Sequence, residues 1–262
     1  MIFTHSPVAV FCGPIALQWY GIMIAAAATV GYFLLLHDHI LKKFFTADQL
    51  SNFTSFIILQ AVFGGRILWF FEQNLSAYSW TQKVALFFTV WSGGFSILGT
   101  ISAVALTLPL YVIYCVKAPL AVILDRLTLY APLIQAISRI GCLLAGCCCG
   151  VETDSWYGII YTHQDSLAPL LQTVHPTQLY SSILLTLLFV GLYLLQRKIK
   201  TPGILTSLYL VGAGLERFLV DFLRADRTLI GGWLSSTQYI ACGLMITGLI
   251  AWYCGAYGIK RK

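Results

Sequence analysis

The sequence predicts an all-α integral membrane protein with about seven transmembrane helices, its N-terminus outside and its C-terminus cytoplasmic. Three observations carry that expectation. Of 262 residues, 58% are hydrophobic and only 10% charged, against about 25% charge in an ordinary soluble domain. Apolar runs long enough to cross a bilayer recur at 15–36, 51–71, 95–114, 118–137, 177–195, 203–222 and 234–252. The 16 Lys and Arg also segregate. Lys42, Lys43, Lys117, Arg197, Lys198, Lys200, Lys260, Arg261 and Lys262 fall on one side of a seven-span chain, and Lys83, Arg139, Arg224 and Arg227 on the other. Cytoplasmic loops collect positive charge, which sets the orientation. The same topology accounts for the net charge of +6 and calls for no nucleic-acid partner.

In chain order, the segment up to Pro14 lies outside, and Gln18, Trp19 and Tyr20 open the first span. Trp and Tyr are common there as interfacial anchors. No basic n-region precedes this span and no small-residue cleavage site follows it, so it is expected to stay. His37, His39, Lys42 and Lys43 form a solvated cytoplasmic loop. Arg66, within the second span, either faces the bundle interior with a partner or ligand, or snorkels to the outer interface. The stretch WSGGFSILG at 91–99 leads into the third span, where its glycines permit tight turns or close helix packing. Asp125 and Arg126 sit near the cytoplasmic end of the fourth, a structural position. No internal repeat, low-complexity tract or soluble domain is visible, and residues 1–262 read as a single transmembrane domain.

The chemistry concentrates in SRIGCLLAGCCCG at 138–150, on the outer face. Arg139 is its only charge, and Cys147, Cys148 and Cys149 are consecutive. The outer loop then runs to His175 and Pro176, where proline fits the first turn of the fifth helix. In the sixth span Arg217, Asp221 and Arg224 stand at i, i+4 and i+7, hence on one helical face. Such a face pairs within itself or holds an anion, and a guanidinium fork suits a phosphate.

Five motifs in order carry a resemblance: GGRI at 64–67, WSGGFSILG at 91–99, the GxxxxG of RIGCLLAGCCCG, HPTQLY at 175–180 and RFLVDFLRAD at 217–226. In this order they are similar to those of the bacterial prolipoprotein diacylglyceryl transferases, and the likeness runs from Trp19 and Tyr20 to 235–238. That resemblance implies transfer of a diacylglyceryl group from phosphatidylglycerol to a lipobox cysteine of a prolipoprotein. Glycerol 1-phosphate leaves, no metal or organic cofactor takes part, and the setting is the bacterial cytoplasmic (inner) membrane.

It implies catalytic roles for Arg139, Arg217 and Tyr20; Cys147, at the signature acidic position, is a catalytic candidate on its own chemistry. It implies substrate-binding positions at Arg66, Gly94, Ser96, Gly141, Cys142, Gly146, Gly150, His175, Gln178, Asp221, Arg224 and Gln238. The chain departs from the pattern at Leu98, where relatives carry His, and at Cys142, Ala145 and Cys147, where they carry Asn, Asn and Glu. Cys147 beside Arg139 is therefore expected to be partly thiolate, acting as nucleophile or base. A disulfide from Cys142 to one of the three following thiols, or zinc held by three thiolates and His175, are the other readings of the cluster. A lipid transferase with a different acceptor, or a non-catalytic phospholipid-binding or translocating protein, are the alternatives for the whole.

Overall fold

A computed structural model describes residues 2–12, 15–73, 79–88, 94 and 96–258. Pro14, Trp91, Ser92, Gly93, Phe95, Lys260, Arg261 and Lys262, to which the sequence assigns topological or packing roles, lie outside the described residues. Two compact units form, residues 35–123 and residues 1–34 with 124–262.

In the first unit, α2 (Ala47–Glu72) starts on a capping box. Thr46 Oγ1 accepts from Gln49 N at 3.3 Å and Gln49 Oε1 accepts from Thr46 N at 2.9 Å, so two of the end donors are satisfied. It packs along α4 (Ile97–Tyr111), with the Thr100 hydroxyl donating to Ala61 O across the pair at 3.0 Å. In apolar surroundings such ties and close small-residue contacts replace the hydrophobic driving force. The short α3 (Trp80–Phe88) lies between them in sequence, and a π turn over Val112–Val116 closes the unit's last helix at the left-handed Lys117.

The second unit holds α1 (Trp19–Leu36), α5 (Leu120–Ala145), α6 (Thr177–Leu195), α7 (Ile204–Asp221) and α8 (Ser236–Gly258). Asp125 on α5 caps the start of α7, accepting from Gly203 N at 2.7 Å, Thr206 N at 2.8 Å and Thr206 Oγ1 at 2.7 Å. Arg126 donates to Gln196 Oε1 at 2.8 Å. The Asp125–Arg126 pair is structural, tying α5 to the α6–α7 connection.

Among the described residues six helices are long and apolar enough to cross a membrane: α1, α2, α4 with its π turn, α5, α6 and α8. The chain is an all-α integral membrane protein of the multi-pass kind. The remaining expected span, 203–222, is helical as α7, but Glu216, Arg217 and Asp221 set it apart from the others. The fourth span reaches further than its hydropathy suggests. It continues through Ala145, so Ser138, Arg139, Gly141 and Cys142 are helical rather than part of a loop. Their neighbours are apolar, and the helix carries Gly141 within it and stops only where Gly146 turns left-handed.

Short strands, which hydropathy does not signal, decorate the second unit. β1 (Ile2–Phe3) runs parallel to β4 (Ile159–Tyr161), and β4 antiparallel to β5 (Thr173–Val174). Val8–Cys12 (β2) and Ile15–Gln18 (β3) form a hairpin, as do Leu229–Ile230 (β6) and Leu234–Ser235 (β7). The inner face of the three-stranded sheet, with Ile159, Tyr161 and Val174, packs on Leu143 and Cys149. This small core backs the cysteine-rich turn.

Candidate active site

The turn after α5 is built by Gly146, whose φ of +73° lies in the left-handed region that glycine enters without strain. The chain reverses there, and Cys147 N returns to Cys142 O at 3.1 Å. The following residues are then stitched, backbone to backbone, between two helix ends. Gly150 N donates to His175 O at 2.9 Å and His175 N to Val151 O at 3.0 Å, at the entry to α6. Val151 N donates to Leu223 O at 2.8 Å and Ala225 N to Cys149 O at 3.2 Å, just past α7. Side chains from HPTQ finish the frame: the Thr177 hydroxyl donates to Cys148 O at 2.6 Å and Gln178 Nε2 to Cys147 O at 2.7 Å.

Around that frame the structure gathers charge. Arg217 lies within electrostatic reach of both Arg139 and Arg224. Its nearest carboxylate is Asp221, at 3.9 Å. Arg139 and Arg217 are half-buried and keep most of their donors unused among the described residues. Three guanidinium groups facing one shared neighbourhood repel one another, and a bound anion relieves that repulsion. Tyr20, at the start of α1, is within reach of Arg139 and of Cys142, Cys147 and Cys148. Gly141 makes this possible. A Cβ there would sit 2.9 Å from Met23 Cβ and 3.3 Å from Tyr20 Cα, so any side chain would push α1 off α5.

The expected site residues divide by what they touch. Arg139, Arg217, Tyr20, Cys142, Cys147 and Arg224 come together in this unit. Asp221 is buried at the centre of a network, accepting from Ser235 Oγ and Thr237 Oγ1 and facing Arg227 Nε at 3.5 Å. The helical face of Arg217, Asp221 and Arg224 is only partly kept, because α7 ends at Asp221. Arg224 turns to Asp226, with bonds of 2.8 and 2.5 Å. Gln238 is fully buried and internally engaged, accepting from Ser235 N at 2.9 Å and Arg227 Nη2 at 3.1 Å. It positions the α7 exit. Gln178 likewise positions the cysteine turn, and His175 Nδ1 is 3.2 Å from the Tyr180 hydroxyl. Gly146 and Gly150 shape the turn.

Arg66, Gly94 and Ser96 belong to the other unit and form a constellation of their own. Arg66 is 2% exposed. It donates from Nε to Phe87 O at 3.0 Å, from Nη1 to Gly94 O at 2.7 Å and from Nη2 to Leu86 O, with its guanidinium 4.4 Å from the Trp69 ring. Gly94 has φ +81°, and a Cβ on it would meet Trp69 at 2.6 Å. Ser96 N donates to Gly65 O at 2.9 Å and its hydroxyl to Glu72 at 3.1 Å. Of the two readings of Arg66, interior with a partner is the observed one, and the partners are carbonyls.

The thiols differ from expectation. All seven cysteines other than Cys12 are free, so no disulfide joins the cluster. Cys147 is not the depressed thiol: hydrogen bonds with Cys142 and Cys148, and burial, push it up. Cys148 is held well below the usual thiol range by hydrogen bonds from Cys142 and Cys147, with Arg224 adding to the effect. Arg224, rather than the expected Arg139, is the guanidinium that acts on the lowered thiol. Sequence reasoning missed Asp226, Ser235, Thr237 and Thr177. The signal was present in part, since RFLVDFLRAD continues into a further arginine and HPTQ supplies a hydroxyl at the helix entry.

The geometry agrees with what the chain is similar to. A family model described as prolipoprotein diacylglyceryl transferase matches residues 7–254. A phosphatidylglycerol-prolipoprotein diacylglyceryl transferase 2 of Clostridium perfringens (strain 13 / Type A) is 35% identical over 236 residues, covering 88% of this chain and 88% of that one. The transferase of Clostridium tetani (strain Massachusetts / E88) is 32% identical, covering 88% and 90%. That of Legionella pneumophila (strain Lens) is 28% identical, covering 95% and 96%. The chain belongs to the prolipoprotein diacylglyceryl transferase family.

Proposed function

We propose that the protein is a transferase that moves the diacylglyceryl group of phosphatidylglycerol onto a cysteine thiol of a prolipoprotein, the lipid-modification step of lipoprotein maturation. The observation that supports this best is the convergence of Arg139, Arg217 and Arg224, in which Arg224 pairs with Asp226 and Arg217 stands 3.9 Å from Asp221. The donor is an anionic phospholipid, and the bond that breaks joins its glycerol methylene carbon to a phosphate oxygen. As the acceptor sulfur attacks that carbon, negative charge grows on the departing phosphate, where guanidinium groups lower the barrier. Asp221, buried and anchored by Ser235 and Thr237, orients Arg217 and keeps it from folding back into the bundle.

Tyr20, next to Arg139, is placed to border the head group. The acceptor segment is the lipobox of the signal peptide. Residues 1–262 act as one transmembrane domain in the bacterial inner membrane, with the N-terminus outside and the arginines near the outer leaflet. Proteoliposomes carrying phosphatidylglycerol labelled in its acyl chains test the reading with a lipobox peptide. Label on the peptide with stoichiometric glycerol 1-phosphate is expected. Absence of both, from protein that unfolds cooperatively, would overturn it.

A further inference from the structure

Three of the four clustered cysteines are brought to one point. The Sγ atoms of Cys142, Cys147 and Cys148 all lie within 4.8 Å of one another. Cys142 is buried and the other two are half-buried. The backbone goes out of its way to achieve this. Cys148 adopts φ +60°, a left-handed conformation that a residue with a side chain rarely takes. Strain of that kind persists where the surroundings enforce it and clusters at functional sites. The Thr177 and Gln178 bonds to the carbonyls of Cys148 and Cys147 enforce it here. Cys149 turns the other way, into the core with Ile159 and Val174.

The spacing suits a thiophilic cation. With zinc-sulfur bonds of about 2.3 Å, three thiolates stand about 3.8 Å apart in a tetrahedral site and about 4.0 Å apart in a trigonal one. The three sulfurs need to close by less than about 1 Å to reach either. A disulfide would bring two of them to about 2.05 Å and strand the third. Charge also fits: three thiolates around a divalent ion carry one net negative charge, and Arg224 faces Cys148 while Arg139 is within reach of Cys142. His175 is not a member of the cluster, since its imidazole is turned to Tyr180.

We propose that Cys142, Cys147 and Cys148 hold a zinc ion as a three-thiolate site, and that its fourth position takes the thiol of the acceptor cysteine. This rests on the transferase reading above and replaces the cofactor-free reaction that the resemblance implies. The need it meets is visible in the site. An acceptor thiol must lose its proton, and three groups placed near the loop are already engaged: Asp221 by Ser235, Thr237 and Arg227, Asp226 by Arg224, and His175 by Tyr180.

A metal-bound thiol is deprotonated outright, and three-ligand zinc sites with an open fourth position are the catalytic kind. The acceptor releases its proton to water on binding, and a sulfur lone pair forms the S–C bond to the donor's glycerol methylene. The C–O bond breaks with its electron pair leaving on glycerol 1-phosphate. Zinc keeps its oxidation state throughout. The product thioether is a poorer ligand than a thiolate and leaves.

The test uses the full chain in detergent. Elemental analysis should find one zinc per chain in the wild type and in Cys254→Ser, and none in a Cys142→Ser/Cys148→Ser variant. Cobalt(II) exchanged into the wild type should show a sulfur-to-metal charge-transfer band. That band should shift when a lipobox peptide is added, but not when the peptide carries serine in place of cysteine. No zinc and no cobalt band in protein that unfolds cooperatively would overturn the site, and a band indifferent to the peptide thiol would overturn the fourth position. Transfer of labelled lipid by chelator-treated, metal-free protein would end the metal's role and leave the transferase reading intact. Metal binding without any transfer would remove that reading and leave only the zinc site.

Discussion

Arg66 and Arg217 are each the one arginine of their helix, and the two regions use them in opposite ways. Arg66 is sealed: three carbonyls, of Leu86, Phe87 and Gly94, take its donors and Trp69 covers its face. Arg217 is held at arm's length from its carboxylate, 3.9 Å from Asp221, with two more guanidinium groups in reach. A cation satisfied by backbone dipoles is a structural rivet. One left with spare donors beside like charges is a binding group. The difference teaches that an intramembrane arginine is classified by its partners rather than by its depth.

That contrast can be broken by experiment, and the largest effect belongs to the rivet. Arg66→Ala removes charge-assisted bonds to the carbonyls of Leu86, Phe87 and Gly94, each worth about 1.5–3 kcal/mol. The variant should lose its cooperative thermal transition in detergent or lower it steeply, and Arg66→Lys should not restore it, because one ammonium cannot span three carbonyls. Arg217→Ala should behave the other way, unfolding within a few degrees of the wild type while transfer from labelled phosphatidylglycerol falls by about 100- to 1000-fold. If both variants lose stability equally, the distinction collapses.

A finer comparison sets the two ends of α7 against each other. Asp125→Ala removes the side chain that caps its start and should cost about 1–2 kcal/mol, with transfer per folded molecule unchanged. At the other end Arg224 keeps the Asp226 carboxyl below the usual carboxylate range. A carboxyl depressed in the folded state adds stability that is complete above its unfolded value of about 3.9 and disappears as pH falls through the lower folded value. Asp226 is 59% exposed, so the pair contributes only about 0.5 kcal/mol. Asp226→Asn should therefore lower the melting temperature by a degree or two at pH 7, and by progressively less as pH falls below about 3.9.

Much of this was legible in the residues. Apolar length and lysine distribution announce the helices, and the i, i+4 spacing of Arg217 and Asp221 announces their pairing. What was hidden depends on contacts between segments far apart in sequence. The carbonyl partners of Arg66 lie 20 to 28 residues away on backbone that any sequence supplies. The two- and three-residue strands that back the cysteine turn are too short to show a period. Cys148 is lowered because the turn brings Cys142 and Cys147 to it as hydrogen-bond partners, and Arg224, arriving from beyond α7 where the helical pattern has stopped, adds to the effect.

The stitching of residues 150–151 and 225 to the flanking helix ends has a consequence for how the reaction can diverge. Every one of those bonds runs from amide to carbonyl, so with Gly146 and Gly150 kept the loop holds its course whatever side chains stand at 142 and 147. Asparagine, glutamate or cysteine can be exchanged at 142 and 147 without redrawing the frame that presents them. The protein thus has a socket whose reactive insert is replaceable, which is how a chain can keep its arginines and its architecture while running the same transfer on thiols.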